Sequence, residues 1–214
     1  MRGNRYIVAV LIILHLRACP VPNPPSCLLY QAKKRTMLIL QLLSFSSTKG
    51  YRSTQVTRWH HAIQCAHLAR TYHEPKDVQI ACLLHDIGYV FQTKPTEDHA
   101  TLGASVLRTL GFHTNIVQLV ARHEQAKQFL MSTSPTYYEQ LRQEPRIIEH
   151  EKEKPMSAPA IEAFKEHPLF DKQMALCTYD LQAHDPHKEP LSIEVYEAML
   201  CNHLYIQLAK TEKK

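Results

Sequence analysis

The segment Ala81–Phe91, ACLLHDIGYVF, constrains the fold more than any other part of this 214-residue sequence. It is almost entirely apolar, which is typical of a helix buried in a protein core, yet His85 and Asp86 stand side by side at its centre. Burying an imidazole and a carboxylate costs several kcal/mol unless a partner compensates them. The segment therefore predicts either a local ion pair or a metal site inside a helical core.

Helical periodicity predominates elsewhere, and the sequence holds only 5 glycines and little strand-like alternation. We predict an all-α protein, a single helical bundle with mostly short connections. The predicted helices cover residues 37–44, 56–72, 78–90, 97–110, 115–123, 137–142, 158–166, 170–184 and 192–210.

Charge is distributed unevenly along the chain. Residues 1–73 contain ten Lys and Arg and no acidic residue, whereas residues 74–214 contain fifteen Lys and Arg against twenty acidic residues. The part that is predicted to fold is thus mildly acidic, and it lacks a basic stripe with interleaved aromatic residues. No nucleic-acid partner is expected.

The first 36 residues are predicted to be an extension that precedes the folded domain, which would occupy residues 37–214. Their basic start, the apolar run YIVAVLIILHL and the polar exit RACPVPNPP fit a signal peptide, a transit segment, or extra sequence upstream of Met37. An apolar run of about eleven residues is too short to span a bilayer, so no stable membrane partner is expected. The six cysteines form no CxxC motif, which favours a cytoplasmic or organellar protein.

Fourteen histidines are more than a core needs, and the candidates for chemistry are those on apolar helix faces. Histidine and carboxylate ligands together suit Fe or Mn, and also Zn or Ni, but not Ca or Mg. His60 competes with His61 as a ligand, and Asp185 competes with Asp180. The candidate metal ligands are His61, His85, Asp86, His99, His123 and Asp180.

The order H…HD…H…H…D resembles the HD-domain superfamily of metal-dependent phosphohydrolases and oxygenases. The stretches HHAIQCAHLA, CLLHDIGY, DHATLGASVLRTLGF, VARHEQAKQFL and YDLQAH are similar to its mixed-valent diiron oxygenase branch. That branch includes the aminohydroxyethylphosphonate dioxygenases and, more distantly, myo-inositol oxygenase. The resemblance covers about residues 51–184.

This resemblance implies two iron ions in the Fe(II)/Fe(III) state, a small-molecule substrate and O₂. His61 and Asp180 would share one iron with His85 or with Asp86. His99 and His123 would complete the other, with Asp86 spanning both.

Two further residues match functional positions of the branch. Lys127 matches the lysine of an H-x-x-A-K motif and would hold an anionic group of the substrate. Tyr51 matches a tyrosine near the iron. By contrast, Thr54 replaces an acidic residue, and RQEPRIIEHEKEKPMS replaces a serine- and glycine-rich phosphonate-binding segment. The metal ligands are therefore expected to be intact and the substrate contacts to differ.

The resemblance implies a diiron oxygenase that acts on a small anionic or hydroxylated substrate such as a hydroxyphosphonate. The alternative is an HD-type phosphohydrolase acting on a nucleotide or another phosphoester, since the same ligands can activate water. A third possibility is a binding module that retains the HD fold without activity.

Overall fold

A computed structural model describes residues 24–46, 56–94, 96–143, 155–188 and 192–212. The regular elements of these residues are all helical, which confirms the predicted all-α fold. A short 3₁₀ helix, Ile87–Val90, lies between the third and fourth α-helices. The α-helices in chain order are α1 (Pro24–Ser46), α2 (Arg58–Thr71), α3 (Lys76–Leu84), α4 (His99–Thr109), α5 (Thr114–Thr133), α6 (Pro135–Gln143), α7 (Ala158–Lys165), α8 (Phe170–Gln182) and α9 (Glu194–Thr211).

Helix α1 begins before the predicted start at Met37. A proline suits the first turn of a helix, because the N–H group it lacks would have no partner within the helix, and α1 begins at Pro24. Ala32 and Thr36 are buried, so the turns before Met37 belong to the packed structure. The division of the chain into an extension and a domain remains a prediction, since residues 1–23 lie outside the described ranges.

Five helices form the centre of the bundle and position the candidate ligands. Helix α2 packs on α3 and α8, and α5 packs on α3, α4 and α8. Their shared interface is filled by fully buried aliphatic side chains, including Ile63, Leu84, Val120 and Leu176. Helices α1 and α9 pack on each other and contribute to the same core.

The prediction of a continuous helix over residues 78–90 is wrong, because the helix is interrupted at His85 and Asp86. Helix α3 ends at Leu84, and the 3₁₀ helix begins after Asp86. The ring of His85 supplies the reason, because its Nδ1 atom donates a hydrogen bond to the carbonyl oxygen of Cys82 at 2.9 Å. A side chain thus satisfies one of the carbonyl groups that a buried helix end leaves without a partner.

Helix α5 is also longer than predicted, because it continues from His123 to Thr133. The residues after His123, EQAKQ, interrupt the apolar rhythm on which the prediction rested. Two of them, Glu124 and Lys127, are largely buried and point into the protein. Polar residues that line an internal site break the pattern of an amphipathic helix without ending the helix.

Gly88 allows the 3₁₀ helix to lie against α4. A Cβ atom at this position would overlap the carbonyl oxygen of His99 and approach the backbone nitrogen of Gly103 to 2.7 Å. The absence of a side chain therefore lets the start of α4 come next to the turn that carries Asp86.

Within the described ranges, no helix combines the length and the apolar character that a membrane span needs.

Candidate metal centre

The six candidate ligands come together at the centre of the bundle. They come from separate elements: α2, the end of α3, the turn after it, the start of α4, the middle of α5 and the end of α8. All are buried except Asp86, whose side chain is 11% exposed. The residues brought together are His61, His85, Asp86, His99, His123 and Asp180.

One half of the cluster contains His61, His85 and Asp180. The Nε2 atoms of His61 and His85 lie 3.2 Å apart. Oδ1 of Asp180 lies 2.9 Å from Nε2 of His61 and 3.5 Å from Nε2 of His85. These three side chains therefore direct their ligating atoms toward one point.

The other half contains His99 and His123, whose Nε2 atoms lie 3.1 Å apart. Asp86 faces both halves. Its Oδ1 atom lies 3.4 Å from Nε2 of His85, 3.5 Å from Nε2 of His99 and 3.8 Å from Nε2 of His123. This position between two pairs of imidazoles is the one that a bridging carboxylate needs.

Hydrogen bonds to the backbone fix the orientation of three of the rings. Nδ1 of His61 donates to the carbonyl of Ala183 at 2.9 Å, and Nδ1 of His123 donates to the carbonyl of Val120 at 2.8 Å. His85 makes the equivalent bond to Cys82. Since a carbonyl only accepts, Nδ1 carries the proton, and in a neutral imidazole Nε2 then carries the lone pair.

Lone pairs of several residues thus converge with carboxylate oxygens at about 3 Å. Such a set is repulsive by itself, and a cation between the atoms removes the repulsion. Histidines whose second nitrogen donates to a backbone carbonyl are typical of metal ligands. The donor set of the described residues therefore fits a metal ion, and the mixture of nitrogen and oxygen suits a first-row transition metal.

The two aspartates of the cluster are ionised. Burial alone would raise the pKa of Asp86 and of Asp180, but His85 and Lys127 outweigh it and hold both values well below the ordinary range. Burial lowers the pKa of His61 and of His123 below the ordinary value. For His85, burial would lower the pKa, but the two aspartates outweigh it and raise the value to about 10, so that without a metal ion a proton on this ring takes the place of the cation.

Lys127 lies between two carboxylates rather than in an open pocket. Its Nζ atom is 2.8 Å from Oδ2 of Asp180 and 2.8 Å from Oε1 of Glu124. Although burial opposes the charge, these neighbours raise the pKa of Lys127 well above its ordinary value. The lysine is therefore a permanent cation beside the cluster.

Glu124, which follows His123 directly, is not among the ligands predicted from the sequence. Its Oε1 atom lies 3.0 Å from Nε2 of His123 and 3.6 Å from Nε2 of His99. Its pKa is held well below the ordinary value because Lys127 and His123 outweigh the effect of burial. The only indication in the sequence that Glu124 belongs to the site was its position next to the candidate ligand His123. The fold shows that its carboxylate points toward the cluster.

His184 was interpreted as a surface residue, and the structure places it against the cluster. Its ring stacks on that of His61, with centroids 4.4 Å apart and an angle of 3° between the planes. His184 also forms a potential metal-binding group with His61 and Asp180. Its position four residues after Asp180 was the signal in the sequence, although His184 lies just beyond the end of α8 at Gln182.

The competing residues lie farther from the centre. His60 is half-buried and Asp185 is exposed, whereas His61 and Asp180 are buried in the cluster. Tyr51, Thr54 and most of the segment RQEPRIIEHEKEKPMS fall outside the described ranges, so their predicted roles stay predictions.

Comparison with known proteins identifies the family of the chain. The HD domain model matches residues 58–165, half of the chain. A hydroxymethylphosphonate dioxygenase of Gimesia maris is 30% identical over 131 residues, which are 50% of this chain and 65% of that protein. The [1-hydroxy-2-(trimethylamino)ethyl]phosphonate dioxygenase (glycine-betaine-forming) of Leisingera caerulea is 31% identical over 134 residues, 59% of this chain and 68% of that protein.

A third relative extends the similarity over more of the chain. Uncharacterized protein L432 of Acanthamoeba polyphaga mimivirus is 25% identical over 175 residues, 78% of this chain and 80% of that protein. The matched domain contains five of the six clustered residues, and the alternation of histidine and aspartate is the pattern on which the resemblance rested. The chain belongs to the HD-domain family, and within that family it is similar to the phosphonate dioxygenases.

Proposed function

We propose that this protein is an oxygenase with a two-iron centre, which oxidises a small hydroxylated or anionic substrate such as a hydroxyphosphonate. The observation that carries the proposal is the position of Asp86. One oxygen of its carboxylate faces His85 at 3.4 Å and His99 at 3.5 Å, residues of the two separate imidazole pairs. A carboxylate shared in this way supports two ions rather than one.

In this proposal, His61, His85 and Asp180 hold one ion, His99 and His123 hold the other, and Asp86 bridges them. Iron in the Fe(II)/Fe(III) state supplies the electrons with which such centres react with O₂. The carboxylates offset the charge of the ions, and the hydrogen bonds to Ala183, Cys82 and Val120 keep the rings in place.

Lys127 positions the substrate in this proposal. An ammonium group has three N–H donors, and Asp180 and Glu124 account for two of them at 2.8 Å each. The third donor and the buried positive charge can orient an oxygen of an anionic substrate beside the ligands. The names of the two bacterial dioxygenases support a phosphonate as the first candidate.

Metal analysis, electron paramagnetic resonance and O₂ uptake test the proposal. Iron-loaded protein that has been handled aerobically, so that O₂ oxidises one of the two ferrous ions, is expected to bind two ions, to give a mixed-valent signal, and to consume O₂ with hydroxymethylphosphonate. Protein loaded with zinc is the control and should consume none. Turnover of nucleotides or phosphoesters by zinc- or manganese-loaded protein, without O₂ uptake by the iron form, would establish the phosphohydrolase alternative instead.

A further inference from the structure

Glu124 lies as close to the second pair of imidazoles as the predicted ligands do. Its Oε1 atom is 3.0 Å from Nε2 of His123, whereas Oδ1 of Asp86 is 3.8 Å from that nitrogen. Oε1 is also 3.6 Å from Nε2 of His99, similar to the 3.5 Å that separates Asp86 from His99. Glu124 thus completes a group of two nitrogens and two carboxylate oxygens.

Two of the separations in this group are those of ligands around one ion, and the other three, at 3.5 to 3.8 Å, are slightly longer. Donors bound to a transition metal at about 2.1 Å lie roughly 3.0 to 3.4 Å apart along the edges of an octahedron or a tetrahedron. The separations from Glu124 to His123, 3.0 Å, and from His99 to His123, 3.1 Å, lie in that range. Because Nδ1 of His123 donates to the backbone, its Nε2 atom directs a lone pair at the Glu124 carboxylate.

We propose that Glu124 is a further ligand of the ion that His99 and His123 would hold, an inference that rests on the two-ion function proposed above. The second ion then has two imidazoles, Glu124 and the shared Asp86. This set contains one more carboxylate than the set predicted from the sequence, in which only His99, His123 and Asp86 held this ion.

Lys127 provides a competing explanation that an experiment must separate. Its ammonium group contacts the same Oε1 atom at 2.8 Å, so Glu124 could act only by balancing the charge of Lys127. A ligand contributes a donor atom whether or not the lysine is present. A residue that only neutralises Lys127 loses that effect when the lysine is removed.

The test is a double-mutant cycle of Glu124→Ala and Lys127→Met. Chelator-treated protein is titrated with Mn(II), and bound metal is counted by equilibrium dialysis with elemental analysis. We expect Glu124→Ala to weaken the binding of one of the two ions by tenfold or more, in the wild type and in the Lys127→Met background alike, and to leave the binding of the other ion unchanged. The proposal is overturned if the effect vanishes in the Lys127→Met background, or if both ions bind Glu124→Ala with wild-type affinity.

Glu162→Ala is the matched control. Glu162 and Lys165 are also three positions apart in the sequence, and they form an ion pair at 2.9 Å on the exposed surface of α7. This variant should bind two ions as the wild type does. Circular dichroism of the metal-free proteins checks folding, and Glu124→Gln, which keeps the size of the side chain, replaces any alanine variant that does not fold. Wild-type protein that binds fewer than two ions would refute the two-ion function itself, an outcome distinct from a failure of Glu124 alone.

Discussion

Tyr89 lies flat against the ring of His99, with centroids 3.9 Å apart and planes inclined by 14°. The guanidinium of Arg58 lies over the same tyrosine ring, 4.0 Å from its centroid. Three of the clustered histidines are oriented by hydrogen bonds from Nδ1 to backbone carbonyls. For His99, the stack on Tyr89 serves this purpose.

Replacement of Tyr89 tests whether the stack positions His99 for metal binding. An aromatic pair contributes about 1 kcal/mol. Tyr89→Ala should therefore weaken the binding of the Mn(II) ion at His99 and His123 roughly fivefold, as measured by equilibrium dialysis. Tyr89→Phe keeps the stacked ring and should bind like the wild type. Equal affinities of the two variants would show that the stack does not hold the ligand.

Gly88→Ala should destabilise the protein, because the new methyl group would overlap the carbonyl of His99. Overpacking of a buried site costs typically 1–3 kcal/mol, and the backbone at Gly88 cannot move aside as a flexible side chain would. We expect the thermal midpoint to fall by about 2–12 °C in a melt followed by circular dichroism. Ser105→Ala, on the exposed face of α4, is the control and should melt like the wild type; an unchanged midpoint for Gly88→Ala would contradict the packing described above.

The all-α fold follows from local helical periodicity in the sequence. Among the competing ligand candidates, the fold buries His61 and Asp180, whereas His60 is half-buried and Asp185 is exposed. Glu124 and His184 were missed because their orientation depends on neighbours from other helices. The break at His85 was missed for a similar reason, since only the fold shows a side chain satisfying the end of α3.

Lys127→Met should destabilise the metal-free protein, because it leaves Asp180 and Glu124 buried without their shared cation. Removing one partner of a buried ion pair costs roughly 3 kcal/mol or more, which corresponds to a fall of about 6–12 °C in the thermal midpoint. Lys165→Met, in an exposed pair, is the control and should change the midpoint little.

Metal should offset part of that loss. A site that has lost a cation attracts metal ions more strongly, and a ligand that binds only the folded state stabilises it. Added Mn(II) should therefore raise the thermal midpoint of Lys127→Met more than that of the wild type. A smaller rise in the variant would show that Lys127 supports the metal ligands instead of opposing the charge of the ions.

The ion pair between Asp77 and Lys172 predicts a pH dependence that is separate from the metal centre. Nζ of Lys172 lies 2.6 Å from Oδ2 of Asp77, which joins α3 to α8. Burial opposes the charge, but Lys172 and Asn115 outweigh it and lower the pKa of Asp77 below its usual 3.8. Because the pKa is lower in the folded state, the pair stabilises the protein above pH 4, and this contribution falls as the pH drops through the lowered value.

Asp77→Asn removes this contribution. The free energy of unfolding, measured in urea, should be lower for the variant than for the wild type by a constant amount between pH 5 and 7. Below pH 4 the two curves should converge. Curves that stay parallel down to pH 2.5 would show that the Asp77 carboxylate does not gain its stability from Lys172.

The packing of α1 on α9 joins an early segment of the chain to a late one. About 150 residues separate the two helices in the sequence, and the clustered ligands all lie between them. On the ribosome, the last of these ligands, Asp180, emerges before α9 does, whereas the buried face of α1 must wait for Tyr196, Leu200 and Leu204. Contacts between such distant segments slow folding. The α1–α9 contact can therefore form only after every one of the clustered histidines and aspartates has been synthesised.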